Sequence, residues 1–116
     1  MKPDYRKYQN RKTVLDGITF DSKLEANRYA ELKVLEKAGV ISQIQLQPVF
    51  ELIPAFTKNG KKYRATHYVA DFMYYDIQEK KVKIEDTKGY ETDVYKLKRK
   101  MFEYKYPDLE IIEIRR

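Results

Sequence analysis

The sequence predicts a mixed α/β domain, in the order hairpin, helix, three strands, helix, strand. Three observations predict it. Residues 21–39 and 91–107 each carry apolar side chains at helical spacing between a cap signal and a stop signal. Between them run three stretches that read as strands, and a fourth closes the chain at residues 109–114. Near the start, Asp16-Gly17 stands between apolar residues, the chemistry of a tight hairpin turn. At 116 residues the chain has material for one core.

Residues 1–13 are expected to form a basic, flexible arm, and residues 14–116 a single domain. The arm holds Lys2, Arg6, Lys7, Arg11 and Lys12 without a helical or strand period. Val14 to Phe20 reads as a small ribbon. The first helix starts at Asp21 or Ser22 and stops at Ala38-Gly39. Leu24, Leu32 and Leu35 form its apolar stripe, with Tyr29 on the flank and Lys33 and Lys37 opposite. Glu25 falls on the apolar side. Two readings apply to it: Ser22-Lys23-Leu24-Glu25 fits a capping box, and a carboxylate aimed at a sheet also suits a metal site.

Ile41 to Leu52 alternates as a strand in which Pro48, lacking an N–H, requires an edge or a bulge. Lys58-Asn59-Gly60-Lys61 is a turn whose charges lie within reach of a polyanion. Arg64 to Tyr75 is apolar on both faces, as a central strand is, yet contains Asp71. His67, the only histidine, reads as a polar residue at strand entry. Lys80 to Gly89 places Val82, Ile84, Asp86 and Lys88 on one face, which turns from apolar to charged at its end. The second helix, capped by Glu91 or Thr92 and closed by Pro107, offers Val94, Leu97, Met101 and Tyr104 to the core. Lys96, Arg99 and Lys100 share another side and are candidates for phosphate contacts.

Asp71, Asp86 and Lys88 are thus the chemistry-bearing residues that adjacent strands bring together. Two carboxylates and an ammonium on a sheet face suit a divalent cation and a phosphodiester. A one-residue shift of register substitutes Glu85 for Asp86 as ligand. The net charge of +6 fits a polyanionic partner. Absence of cysteine excludes disulfides and thiolate metal sites. No apolar run is long enough to cross a membrane, and the first residues do not read as a signal peptide. The expectation is a cytoplasmic protein.

A helix bearing Glu25, then Asp71 on a strand, then Asp86-Thr87-Lys88 on the next strand, resembles the PD-(D/E)XK nuclease superfamily. The run Gly17 to Ala26, with Ala70-Asp71-Phe72 and Asp86-Thr87-Lys88-Gly89, is similar to a small phage and prophage family of predicted endonucleases. The resemblance spans residues 14–114. It departs from the pattern at Ala70, where proline ordinarily precedes the acid.

The resemblance implies a restriction-endonuclease-like core and a Mg²⁺- or Mn²⁺-dependent endonuclease acting on DNA. Glu25, Asp71, Asp86 and Lys88 would be its catalytic residues, with Asp71, Asp86 and Glu25 toward the metal. Arg11, Lys12, Lys96, Arg99 and Lys100 are the expected nucleic-acid contacts. By analogy with Holliday junction resolvases, the substrate is expected to be branched or junction DNA, in recombination, cut by a homodimer. Two further classes are compatible with the residues: a noncatalytic nucleic-acid-binding module with a buried ion-pair cluster, and a phage interaction protein.

Overall fold

The protein is described by a computed structural model over residues 12–88 and 90–115. Most of the predicted basic arm, Arg11 included, lies outside the described residues, as does Gly89 at the predicted strand end.

Strands β1 (Thr13–Leu15) and β2 (Ile18–Phe20) form the expected ribbon. Asp16 and Gly17 adopt φ of 53° and 75°, the left-handed pair that such a two-residue turn needs. Helix α1 (Lys23–Lys37) follows, its Ser22 hydroxyl accepting from the Glu25 N–H at 3.0 Å. It ends as its sequence predicts. Gly39, at φ 76°, lets its own N–H reach the Glu36 carbonyl and the Val40 N–H reach the Leu35 carbonyl.

The middle of the chain departs from the three-strand reading. The predicted strands 41–52 and 64–75 are each broken, giving β3 (Ile41–Leu46), β4 (Val49–Ile53), β7 (Thr66–Val69) and β8 (Phe72–Asp76). Between them lies an additional hairpin, β5 (Phe56–Lys58) and β6 (Lys61–Tyr63), turning at Asn59-Gly60. β3 pairs with β8, β4 with β7 and β5 with β6, all antiparallel. The ladder continues through the first break: the Gln47 N–H donates to the Asp71 carbonyl, and the Ala70 N–H to the Pro48 carbonyl. Ile53 opposite Thr66 and Phe56 opposite Tyr63 keep one register through the second break. Residues 41–76 are therefore one long hairpin, interrupted where Gln47-Pro48 faces Ala70-Asp71 and again around Pro54. Proline removes a donor at each interruption.

The base of this hairpin enters a four-stranded sheet, β10-β9-β8-β3, completed by β9 (Lys81–Thr87) and β10 (Ile111–Ile114). β10 runs parallel to β9, and the crossover between them is helix α2 (Asp93–Lys105). Phe72 and Tyr74 pack with Phe20, Ala26, Tyr29, Leu32 and Ile41 under α1. Met73, between them, packs instead with Leu52, Tyr68, Ala70, Ile84, Tyr95, Phe102 and Ile111 under α2. The two helices thus cover opposite faces.

Helix α2 is rotated from the predicted orientation. Tyr95 and Phe102 are its buried residues, while Val94, Leu97 and Tyr104 are 63%, 59% and 91% exposed. Both stripes of this helix are apolar enough to face a core, and the aromatic one wins. The Phe102 ring meets Phe50, Tyr68 and Tyr106 within 5.6 Å between centroids. Fully burying such a side chain stabilises by roughly 1.5–3 kcal/mol.

Candidate functional site

The two breaks in the long hairpin matter because Asp71 sits at the first. Its carbonyl and N–H bond to Gln47 and Glu85, holding it between β3 and β9. Its carboxylate is fixed by the residue that follows Asp86. The Thr87 N–H and hydroxyl both donate to Asp71 Oδ2 at 2.7 Å.

The β8–β9 register sets Phe72 against Glu85, which brings Asp71 opposite Asp86. Asp86 is 3% exposed. Its Oδ2 accepts from the Tyr68 hydroxyl and lies 3.1 Å from Lys88 Nζ. The ammonium also sits over the Tyr95 ring, 3.8 Å from its centroid. Burial, followed by the charge of Asp71, pushes the Asp86 carboxyl up to about 7, against the opposing pull of Tyr68 and Lys88. Asp71 therefore lies close enough to Asp86 for the two carboxyl groups to repel each other.

Glu25 reaches this pair from the first turn of α1. It is 5% exposed, and burial, then the charges of Asp71 and Asp21, raise its carboxyl to about 7, with Asp86 adding a smaller push. The Asp21 N–H draws the carboxylate back toward the helix start. The Ser22 hydroxyl caps the Glu25 amide, and the Glu25 carboxyl lies in the field of both aspartates.

The expected ligand set of Asp71, Asp86 and Glu25 is not assembled as a closed cage. Among the described residues, no three or more His, Cys, Asp or Glu side chains are grouped as a cation site. The physical reason is local: the Glu25 carboxylate is drawn to the Asp21 amide, and that of Asp71 is fixed by Thr87. What remains is a two-carboxylate centre. Its oxygen donors fit Mg²⁺, which is commonly held by one or two carboxylates and keeps waters or phosphate oxygens for its other positions. Asp71 and Asp86 would hold it, and Glu25 stands beside them.

The alternative ligand, Glu85, has a different occupation. It is 1% exposed and points toward α1, where Arg28 Nε and Nη2 grip its two oxygens at 2.6 and 2.7 Å and the Tyr74 hydroxyl donates to it. Asp86, not Glu85, therefore faces Asp71.

Of the expected nucleic-acid contacts, Lys12, Lys96 and Lys100 are exposed. Arg99 turns back on the protein, with Nη1 2.5 Å from Glu113 and Nη2 3.4 Å from the Ile111 carbonyl. Tyr95 and Arg99 together hold the Glu113 carboxyl well below its usual range, at about 2.

Sequence reasoning missed Tyr68, Tyr95 and Arg28. Strand alternation set Tyr68 on the face opposite Asp71, and only the break at Ala70-Asp71 turns its hydroxyl to Asp86. Arg28 carried a readable signal, one turn after Glu25 on the same helix side.

No curated protein and no solved structure matches the chain. One family does, over residues 5–116, nearly its full length. The chain accordingly belongs to the family described as protein of unknown function DUF1064.

Proposed function

We propose that the chain is a metal-dependent endonuclease with a core of the restriction-endonuclease kind, hydrolysing DNA phosphodiester bonds at Asp71, Asp86 and Lys88. One observation carries this reading. Strand pairing sets two mutually repelling carboxyl groups against each other, beside a lysine, where burial raises one of them to about 7. Such an arrangement is costly to stability and typical of sites that await a cation.

Bound Mg²⁺ or Mn²⁺ supplies charge neutralisation at the phosphate and acidifies a water. Asp86, whose carboxyl burial raises to about 7, must be ionised to hold it. Thr87 fixes the Asp71 carboxylate, and Tyr68 fixes that of Asp86. Lys88, held between Asp86 and the Tyr95 ring, is poised to stabilise a non-bridging phosphoryl oxygen. Glu25, titrating near neutrality, is suited to orient the attacking water and accept its proton. In-line attack would break the P–O3′ bond, leaving a 5′-phosphate and a 3′-oxyanion that takes a proton from solvent to become the 3′-hydroxyl. By analogy, branched or junction DNA is the substrate and a homodimer the active form.

A second reading has an observation of its own. The Lys88–Asp86 ion pair and the lack of a closed cage among the described residues suit a noncatalytic nucleic-acid-binding module. Incubation with linear, single-stranded, flap and four-way DNA, with and without Mg²⁺, separates the two. Nicking that requires Mg²⁺ supports the endonuclease, and retention of DNA without nicking supports the module.

A further inference from the structure

The basic surplus of this chain is concentrated in two segments. Residues 1–12 hold five basic residues and one acidic, and residues 53–66 hold four basic and none acidic, so the rest of the chain is net −2. The second segment is the far end of the long hairpin, where every residue from 53 to 64 is exposed. Its strands bury neither face, and Lys58, Lys61, Lys62 and Arg64 form no ion pair with a described acidic residue.

One feature of this ribbon opposes its own stability. Lys58 and Lys61 stand directly opposite each other across the strands, a like-charge pair that destabilises a hairpin. On the same side, Phe56 and Tyr63 stack at 4.7 Å between centroids with planes 10° apart, yet remain 46% and 40% exposed. Lys61 Nζ lies 5.1 Å from the Tyr63 ring centroid. An exposed aromatic pair edged by unneutralised lysines on a two-stranded ribbon is complementary to a duplex groove, where phosphates flank base edges and thymine methyl groups. A ribbon of this width fits the major groove of a duplex.

We infer that the β5–β6 hairpin is a second nucleic-acid contact, an arm that grips duplex DNA through Lys58, Lys61, Lys62 and Arg64 with Phe56 and Tyr63 between them. This deepens the proposed function and rests on its reading of the partner as DNA. Eight residue steps separate Tyr63 from Asp71, at most roughly 27 Å, so the arm grips the duplex several base pairs from the bond that is cut.

The test is fluorescence anisotropy with a 20-base-pair duplex in EDTA, across a salt series. The quadruple variant Lys58→Gln, Lys61→Gln, Lys62→Gln, Arg64→Gln is expected to bind on the order of 10²-fold more weakly at low salt. Its slope of log affinity against log salt should fall by about 3 to 4, near 0.9 for each lost phosphate contact. Wild-type affinity and slope in this variant overturn the inference, as does a wild-type protein that ignores the duplex. Phosphatidylserine vesicles are the parallel probe, and loss of vesicle binding with DNA binding intact also overturns it. If the quadruple variant melts early, the pairs Lys58→Gln/Lys61→Gln and Lys62→Gln/Arg64→Gln should each give about half the slope change. No metal is present, so a protein that binds through the arm but never cuts sinks only the endonuclease reading. Mg²⁺-dependent cutting with the arm variant binding normally sinks only this one.

Discussion

Glu85 and Asp86 are neighbours on one strand, and both are almost wholly buried, yet they have opposite surroundings. Glu85 faces α1, where a bidentate arginine and a tyrosine hydroxyl satisfy it. Asp86 faces another carboxylate, with a tyrosine and a lysine that do not fully offset the repulsion. One face of β9 neutralises its acid within the fold, and the other keeps an excess of negative charge. A fold that needed only a buried ion pair would treat both acids as it treats Glu85.

The contrast breaks most sharply on the α1 side. Arg28→Ala should leave Glu85 buried without a cation and lower unfolding stability by about 3–5 kcal/mol, readable in urea denaturation. Arg28→Ala combined with Glu85→Gln should recover part of that loss. A single variant within about 0.5 kcal/mol of wild type would mean that Glu85 is not held by this pair.

Asp86→Asn is the counterpart on the other face. It should reduce Mg²⁺-dependent cleavage by about 10²–10³-fold or more while leaving the melting temperature unchanged or raised, because it removes a repulsion. A large fall in melting temperature would show that Asp86 serves the fold as Glu85 does. Lys88→Ala should lose turnover and retain metal affinity, and calorimetry showing lost Mg²⁺ affinity would reassign the lysine to the cation site.

A smaller effect concerns pH. Glu25 and Asp86 are raised in the folded state to about 7, so the folded chain holds protons that the unfolded chain releases near pH 4. Their favourable contribution is complete below about pH 4 and is lost as pH rises through about 7. Melting temperature in EDTA should therefore fall between pH 5 and pH 8, less so in Asp86→Asn. Mg²⁺ should raise it more at pH 8, where the carboxylates are free to bind. An unchanged melting temperature across this range would place these acids in water. Glu113, held at about 2, acts in the opposite direction, its contribution failing only as pH drops below about 4.5.

Local chemistry was legible in the sequence where it is self-contained. Asp16-Gly17, Ser22 and Gly39 announced a turn, a cap and a stop because each acts through its own backbone. The approach of Asp71 to Asp86 was legible because strands alternate and neighbours pair. The face of α2 was not, since Val94, Leu97 and Tyr104 repeat at the same spacing as the aromatic stripe that won. The breaks at Pro48 and Ala70-Asp71 were half legible: proline announced a fault in one strand, but the matching fault in its partner depends on their pairing. Arg28 and Glu85, 57 residues apart, meet only once α1 lies on the sheet.

The central claim is that Asp71 and Asp86 together hold a divalent cation. Calorimetric titration of the protein with Mn²⁺ at pH 8 tests it most directly, alongside Asp71→Ala, Asp86→Ala and Glu85→Gln. The account predicts a binding event in wild type that Glu85→Gln keeps and that either aspartate variant abolishes. Equal binding by all four proteins, or none by wild type, would contradict it.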